Sequence, residues 1–165
     1  MRRSQQPAWK RHRAGACRIA LAPLALCLLS AAAPWEGTLV IHVGNVRSAA
    51  GRVHADLCPE RTFLKDGCGR SVEAPAVPGT TIVTIAGVPP GRYAVQLSHD
   101  ENGNGRVDRG LFGIPKEGVG FSNDAPIRFG PPKFADAAID VRPGSQTIDV
   151  RMRYFSGPSG PPAPR

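Results

Sequence analysis

Apolar residues recur at every second position in several short stretches, and nowhere do they keep a sustained 3.6-residue spacing. Period two is the signature of strands with one buried face. Thr38 to Val43 sets Leu39, Ile41 and Val43 on one side and Val40 and His42 on the other. Val53 to Leu57 alternates in the same way after a polar turn from Gly44 to Gly51, so the two stretches are predicted to pair as a hairpin. Thr80 to Ala86 is rich in β-branched residues, as strands are. Arg92 to Ser98 places Tyr93, Val95 and Leu97 on one face, which carries His99 to the core side. Near the end, Ala137, Ile139 and Val141 alternate with polar or small neighbours. In the final strand Ile148, Val150, Met152 and Tyr154 point in, while Thr147, Asp149, Arg151 and Arg153 point out. Gly/Pro turns separate these segments, and an irregular crossing from Cys58 to Gly79 includes a short edge strand near Ser71 to Ala74. The pattern defines an all-β chain: a single antiparallel β-sandwich of immunoglobulin or transthyretin-like type, with six to seven strands and one long ordered loop.

The 165 residues suffice for one such domain with its own core. Residues 1–32 read differently. They carry Arg2, Arg3, Lys10, Arg11, Arg13 and Arg18 with no acidic residue, then an apolar run from Ile19 to Leu29 and the small residues Ser30 to Ala33. That is the layout of a signal peptide cut after Ala32, with an apolar run too short to span a bilayer. The expected organisation is therefore a signal peptide over 1–32, a sandwich over 36–155 and a disordered Pro/Gly tail over 156–165. The implied location is periplasmic or secreted, with no membrane span in the mature chain.

Export changes the meaning of the charge. The whole chain is formally +8, but without the six basic residues of the signal it keeps fifteen basic against thirteen acidic residues, a net of +2. A folded part so close to neutral gives no support to nucleic-acid binding. Four cysteines become two in the same way, leaving Cys58 and Cys68. An even pair in an exported chain is expected to form a disulfide, because zinc sites would show CxxC pairing and nearby histidines. His42 and His54 fall on the outer face of their strands without a third ligand at fixed spacing, and are expected to be solvated.

The candidate chemistry lies between His99 and Phe134. Its head runs His99-Asp100-Glu101-Asn102-Gly103-Asn104-Gly105-Arg106-Val107-Asp108, with oxygen-bearing side chains at every second position. Short Asp and Asn side chains on a tightly curled backbone can converge on a hard cation such as calcium. Asp100, Asn102, Asn104, the Arg106 carbonyl and Asp108 fill the first positions of an EF-hand pattern, and Gly105 supplies its turn. Position twelve is Leu111 where an EF-hand has a bidentate Glu, so the shell must close from elsewhere. Glu117 is the expected ligand and Asp124 the second choice. Calcium affinity would be modest, on the order of 10⁻⁴ to 10⁻³ M. The alternative is a metal-free Asn/Gly turn whose side chains bond their own backbone. A structureless connection of this length is uncommon in a compact domain. Leu111, Phe112, Ile114, Phe121, Phe129 and Phe134 are expected to anchor it to the sandwich.

Val88-Pro89-Pro90-Gly91-Arg92-Tyr93-Ala94-Val95, His99 to Gly105, Gly113-Ile114-Pro115-Lys116-Glu117-Gly118 and Gly120-Phe121-Ser122-Asn123 together carry a resemblance. In that order they resemble the exported bacterial family called domain of unknown function 2141, over about residues 36 to 155. The resemblance implies a β-sandwich and export, and it brings no assigned activity. The Pro-Gly-x-Tyr motif is also similar to transthyretin-like and carboxypeptidase-regulatory-like modules.

Two functions are compatible with these residues. The first is a non-enzymatic module whose calcium-ordered loop presents a binding surface to an envelope protein or glycan, since no nucleophile, base and orienter stand in a recognised arrangement. The second is a hydrolase using His99 with Asp100 or Glu117 at the loop mouth, with Ser98, Ser122 or Asp124 nearby. On the core face beside a tight turn, His99 is expected instead to fix backbone carbonyls.

Overall fold

The structure, a computed structural model, describes residues 35–161; the expected signal peptide and the last four residues of the tail lie outside the described residues. Among the described residues eight strands form two sheets. In the first sheet β1 (Gly37–Val46) lies between β4 (Gly79–Val88) and β8 (Gly144–Arg151). The second has the order β3 (Arg70–Pro75), β2 (Arg52–Cys58), β5 (Gly91–Asp100), β6 (Gly118–Phe121), and β7 (Ala138–Val141) also pairs with β5. All pairs are antiparallel except β1 with β8, which run parallel. The fold is thus the expected all-β sandwich, with one parallel pair inside it.

The alternation in β1 explains its position. Leu39, Ile41 and Val43 are buried while Val40 and His42 are half-exposed. The buried row meets Val53, Ala55 and Leu57 of β2 and Val95 and Leu97 of β5 within one core. This arrangement overturns the predicted hairpin. In a hairpin β1 and β2 would lie side by side with their apolar rows on one face, whereas here they belong to opposite sheets and the rows face each other. Alternation identifies the buried face of a strand but not its neighbour. His42 and His54 consequently belong to different sheets, where His42 Nδ1 lies 3.3 Å from Asp149 Oδ1 and His54 Nε2 lies 3.2 Å from Glu73 Oε2.

The span from His99 to Phe134 is not a single loop. Gly118–Phe121 forms β6 on the edge of β5, with all four residues buried, and splits it into a connection over 101–117 and another over 122–133. Two of those four residues are glycines because the strand lies tight against its neighbours: a Cβ at Gly118 would collide with Tyr154 and Met152 side chains. Phe121 packs on the outside of the second sheet with Ala94, Ala125 and Ala137, flanked by Phe63, Ile127 and Phe134. Phe63 meets Phe121 and Phe134 edge-on, at 5.9 and 5.7 Å between ring centroids.

Phe121 and Phe134 therefore anchor this region, as expected, but four other residues do not. Leu111 is 83 % exposed, Phe112 97 %, Phe129 is fully exposed and Ile114 is about half exposed. None of these four belongs to the outer-face cluster around Phe121.

Cys58 and Cys68 form a disulfide with a Cα–Cα distance of 5.2 Å, both buried. At the other end, Asn45 Nδ2 donates to the carbonyls of Met152 and Ser159, both at 2.8 Å, and Arg47 Nη1 donates to that of Ser156 at 2.6 Å. Among the described residues no helix is long and apolar enough to cross a membrane.

Candidate functional site

β5 ends at Asp100, and the chain curls over its own end. Asp100 is buried, and its carboxylate accepts backbone N–H groups from Gly103 at 2.8 Å, Asn104 at 3.1 Å and Gly105 at 2.7 Å. Gly103 and Gly105 adopt φ of 73° and 75°, the left-handed conformation this curl requires. Asn102 Oδ1 accepts from Asn104 N at 3.0 Å and Asn104 Oδ1 from Arg106 N at 3.0 Å. The two carboxamide nitrogens both donate to Asp108 Oδ2, at 2.7 Å from Asn102 and 3.1 Å from Asn104. Asn102, Asn104 and Asp108 thus meet at one point on the exposed side of the loop.

Glu117 returns to the loop head but on its inner side. It is buried, with Oε1 accepting from Glu101 N at 3.1 Å and Oε2 from Asp108 N at 3.0 Å. Five backbone N–H groups are held by the carboxylates of Asp100 and Glu117, so the loop is closed by its own acceptors. Arg106 lies outside, its Nε 3.7 Å from Asp108 Oδ1. Asp124 is elsewhere, its Oδ1 accepting from Arg151 N at 2.7 Å. Among the described residues no group of three or more His, Cys, Asp or Glu side chains comes together as a metal site. The meeting point combines one carboxylate with two carboxamides.

Burial pushes the Asp100 carboxyl upward, but the N–H groups of Gly105, Asn104 and Gly103, with His54 nearby, outweigh it and hold it below the ordinary carboxylate range. His54 Nε2 lies 3.7 Å from Asp100 Oδ2.

His99 is completely buried. Its Nε2 lies 2.9 Å from the Ala50 carbonyl and its Nδ1 2.8 Å from Tyr154 Oη. A carbonyl only accepts, so Nε2 donates. Tyr154 Oη already accepts the Arg47 N–H at 3.0 Å, which leaves its own proton for Nδ1. The network continues through the Arg47 guanidinium, which lies 4.4 Å over the Tyr154 ring and donates to both oxygens of Glu101, with Nε–Oε1 at 2.9 Å. Ser48 Oγ donates to the same Oε1 at 2.9 Å. The Arg47 hydrogen bond holds the Glu101 carboxyl low against the opposing effect of burial. The sequence pattern does not single out Arg47 and Glu101. Arg47 lies in a polar turn and Glu101 sits between two expected ligands, and their only sequence signal is opposite charge at long range.

The loop also roofs a polar cleft of about 450 Å³ on the outer face of the second sheet, lined by His54, Asp56, Gln96 and Ser98 below and Arg106 and Arg109 above. Gln96 Nε2 donates to Asp56 Oδ2 at 3.1 Å.

Fold and site together define a β-sandwich module that carries a carboxylate-clamped loop at the end of its central strand. The chain belongs to the bacterial family described as "Uncharacterized protein conserved in bacteria (DUF2141)", whose model matches residues 41–149. No curated protein and no solved structure matches the chain.

Proposed function

We propose that the chain is an exported, non-enzymatic module of the bacterial cell envelope whose 100–117 loop, ordered by calcium, presents a surface to an envelope protein or a glycan. The observation that carries this reading is the meeting of Asn102, Asn104 and Asp108 at one exposed point, on backbone already curled around Asp100. Asn102 Nδ2 and Asn104 Nδ2 face Asp108 Oδ2 at that point, so a cation would be met by the Asp108 carboxylate and, once the two carboxamides turn over, by their oxygens, which here accept backbone N–H groups. Calcium tolerates irregular shells of carboxylate, carboxamide, carbonyl and water oxygens, so a loop with few carboxylates suits it at low affinity. The adjoining cleft alternates donors and acceptors along Asp56, Gln96, Ser98 and Arg106, a lining suited to a hydroxyl-rich ligand. The burial of His99 and the engagement of both its ring nitrogens favour a structural role over the hydrolytic one.

Calcium at about ten times its Kd should raise the melting temperature by about 3 to 6 °C, with chelator reversing the shift. Asp108→Ala should abolish the shift and leave the fold intact. An unchanged melting temperature at millimolar calcium would remove the cation from this reading, and screening the cleft against envelope glycans would then stand alone.

A further inference from the structure

We propose that the turn at 110–114 and the segment beside it at 127–131 form a docking surface for an anionic lipid bilayer, on which the protein lies without spanning it. Phe112 and Phe129 are essentially fully exposed and Leu111 nearly so. Phe112, Ile114, Ile127, Phe129 and Phe155 border one apolar groove of about 510 Å³. Exposed rings gathered from three separate segments form a patch, which soluble surfaces rarely leave bare without a partner.

The tip is built to hold these side chains outward. Gly110 N donates to Ile114 O at 2.8 Å, Lys116 N to Asp108 O at 2.8 Å and Arg109 Nη1 to Gly113 O at 3.1 Å. Phe112 sits at φ 59°, a left-handed conformation in which an aromatic residue is uncommon and Gly or Asn is the usual occupant. An apolar ring at a strained, exposed turn contributes nothing to the core of this fold.

The charge around the rings identifies the occupant. The groove is lined by Arg109 and Arg128 and by no carboxylate. Across 106–116 and 127–133 the chain carries Arg106, Arg109, Lys116, Arg128 and Lys133 against Asp108 alone. Aromatic tips with cations at their base match the depth profile of an anionic bilayer, with hydrocarbon beneath a layer of phosphates. A protein partner would need an apolar socket with an acidic rim of matching shape, whereas a bilayer imposes no such fit. This surface goes beyond the calcium reading and does not depend on it, because none of the rings is a ligand.

Co-sedimentation of the purified protein with vesicles of phosphatidylglycerol and phosphatidylethanolamine, in chelator and at low salt, tests the proposal against vesicles of phosphatidylcholine. Binding to the anionic vesicles should weaken with salt. Phe112→Ser and Phe129→Ser should each reduce the partition coefficient by about tenfold or more. Arg109→Gln and Arg128→Gln should each reduce it by about fivefold. Melting curves should stay close to that of the unsubstituted protein, since Phe112 and Phe129 pack against nothing in the core. Failure to sediment with anionic vesicles, or sedimentation that survives loss of both rings, would overturn the proposal. So would a dimer in analytical ultracentrifugation that the same double substitution dissociates, because the patch would then belong to a second copy.

Discussion

Arg47 and Glu101, fifty-four positions apart, clasp through two parallel hydrogen bonds at the point where the connection out of β1 meets the end of β5. β1 belongs to the first sheet and β5 to the second, so one ion pair ties both sheets to the mouth of the loop. Both side chains are largely but not completely withdrawn from solvent, at 14 % and 20 % exposure. A planar guanidinium that pairs bidentately and also stacks on Tyr154 cannot be replaced by a lysine with equal effect.

Removing one partner should therefore be felt beyond the usual surface pair. Glu101→Ala should destabilise the protein by about 1 to 3 kcal/mol, between the values for exposed and for fully buried pairs. Urea denaturation of Glu101→Ala, Arg47→Ala and the double variant checks this through a double-mutant cycle. Strict additivity of the two losses would show that the pair does no coupling.

Tyr154→Phe isolates the next link. The ring stays under Arg47, but His99 Nδ1 and the Arg47 N–H lose their hydroxyl partner inside the protein. Leaving a buried polar atom unpaired costs about 1 to 3 kcal/mol. Chemical denaturation should show a loss of that size with an unchanged denaturant slope.

Much of this fold is legible in the sequence because each strand has one buried face. Leu39, Ile41, Val43, Val95, Leu97, Val150 and Met152 are all found where alternation places them. Alternation carries no information about partners, so the parallel pairing of β1 with β8 and the placement of β2 in the other sheet were not legible. β6 was hidden for a different reason. Gly118 and Gly120 leave no side-chain pattern, and only the neighbouring Tyr154, Met152, Val150 and Leu97 explain their presence. At the site, the spacing of Asp100, Asn102, Asn104 and Asp108 announced a curled loop. It could not show that Asp100 and Glu117 turn their oxygens to backbone N–H groups, because that depends on which donors the curl leaves unpaired. The sequence marks the exposed Phe112 and Phe129 as anchors, because hydrophobicity alone does not distinguish a residue that fills a core from one that awaits a partner.

Two glycines at positive φ near the loop should respond differently to alanine. At Gly51, with φ 64°, an added Cβ would run into the Asp100 backbone carbonyl, whereas at Gly103, with φ 73°, it would meet nothing within 4 Å. Gly103→Ala should cost only the dihedral penalty, about 1 to 2 kcal/mol. Gly51→Ala should cost more, because backbone must move as well. Comparing the two melting curves separates strain from collision.

Reduction of the Cys58–Cys68 bond tests the crossing between β2 and β3. The bridge closes a short loop, with a sequence separation of 10, so its loss should lower stability by about 2 to 3 kcal/mol. Both cysteines are buried, which should make reduction slow in the folded protein and fast once denaturant opens it. Thiol labelling against denaturant concentration would read this directly.

The pH profile should be limited at both ends by groups around the loop mouth. Asp100 and Glu101 are held below their ordinary values of 3.8 and 4.5. As acid is added the unfolded chain takes up these protons first, so stability rises with pH through this range and is complete above about pH 5. It is lost as pH falls through the lowered native values. Tyr154 works in the opposite direction. Burial raises it above its ordinary 10.0, so the native state keeps its proton longer than the unfolded chain and stability is lost as pH rises beyond 10. Melting temperature measured from pH 2.5 to 11 should therefore show a plateau with an acid and an alkaline limb. Asp100→Asn should lower the plateau and flatten the acid limb, because the carboxamide keeps only one acceptor oxygen for the N–H groups of Gly103, Asn104 and Gly105. Tyr154→Phe should flatten the alkaline limb and leave the acid one in place. An acid limb unchanged in both Asp100→Asn and Glu101→Gln would show that other carboxylates set it, and that the clamp at the end of β5 contributes little to folding.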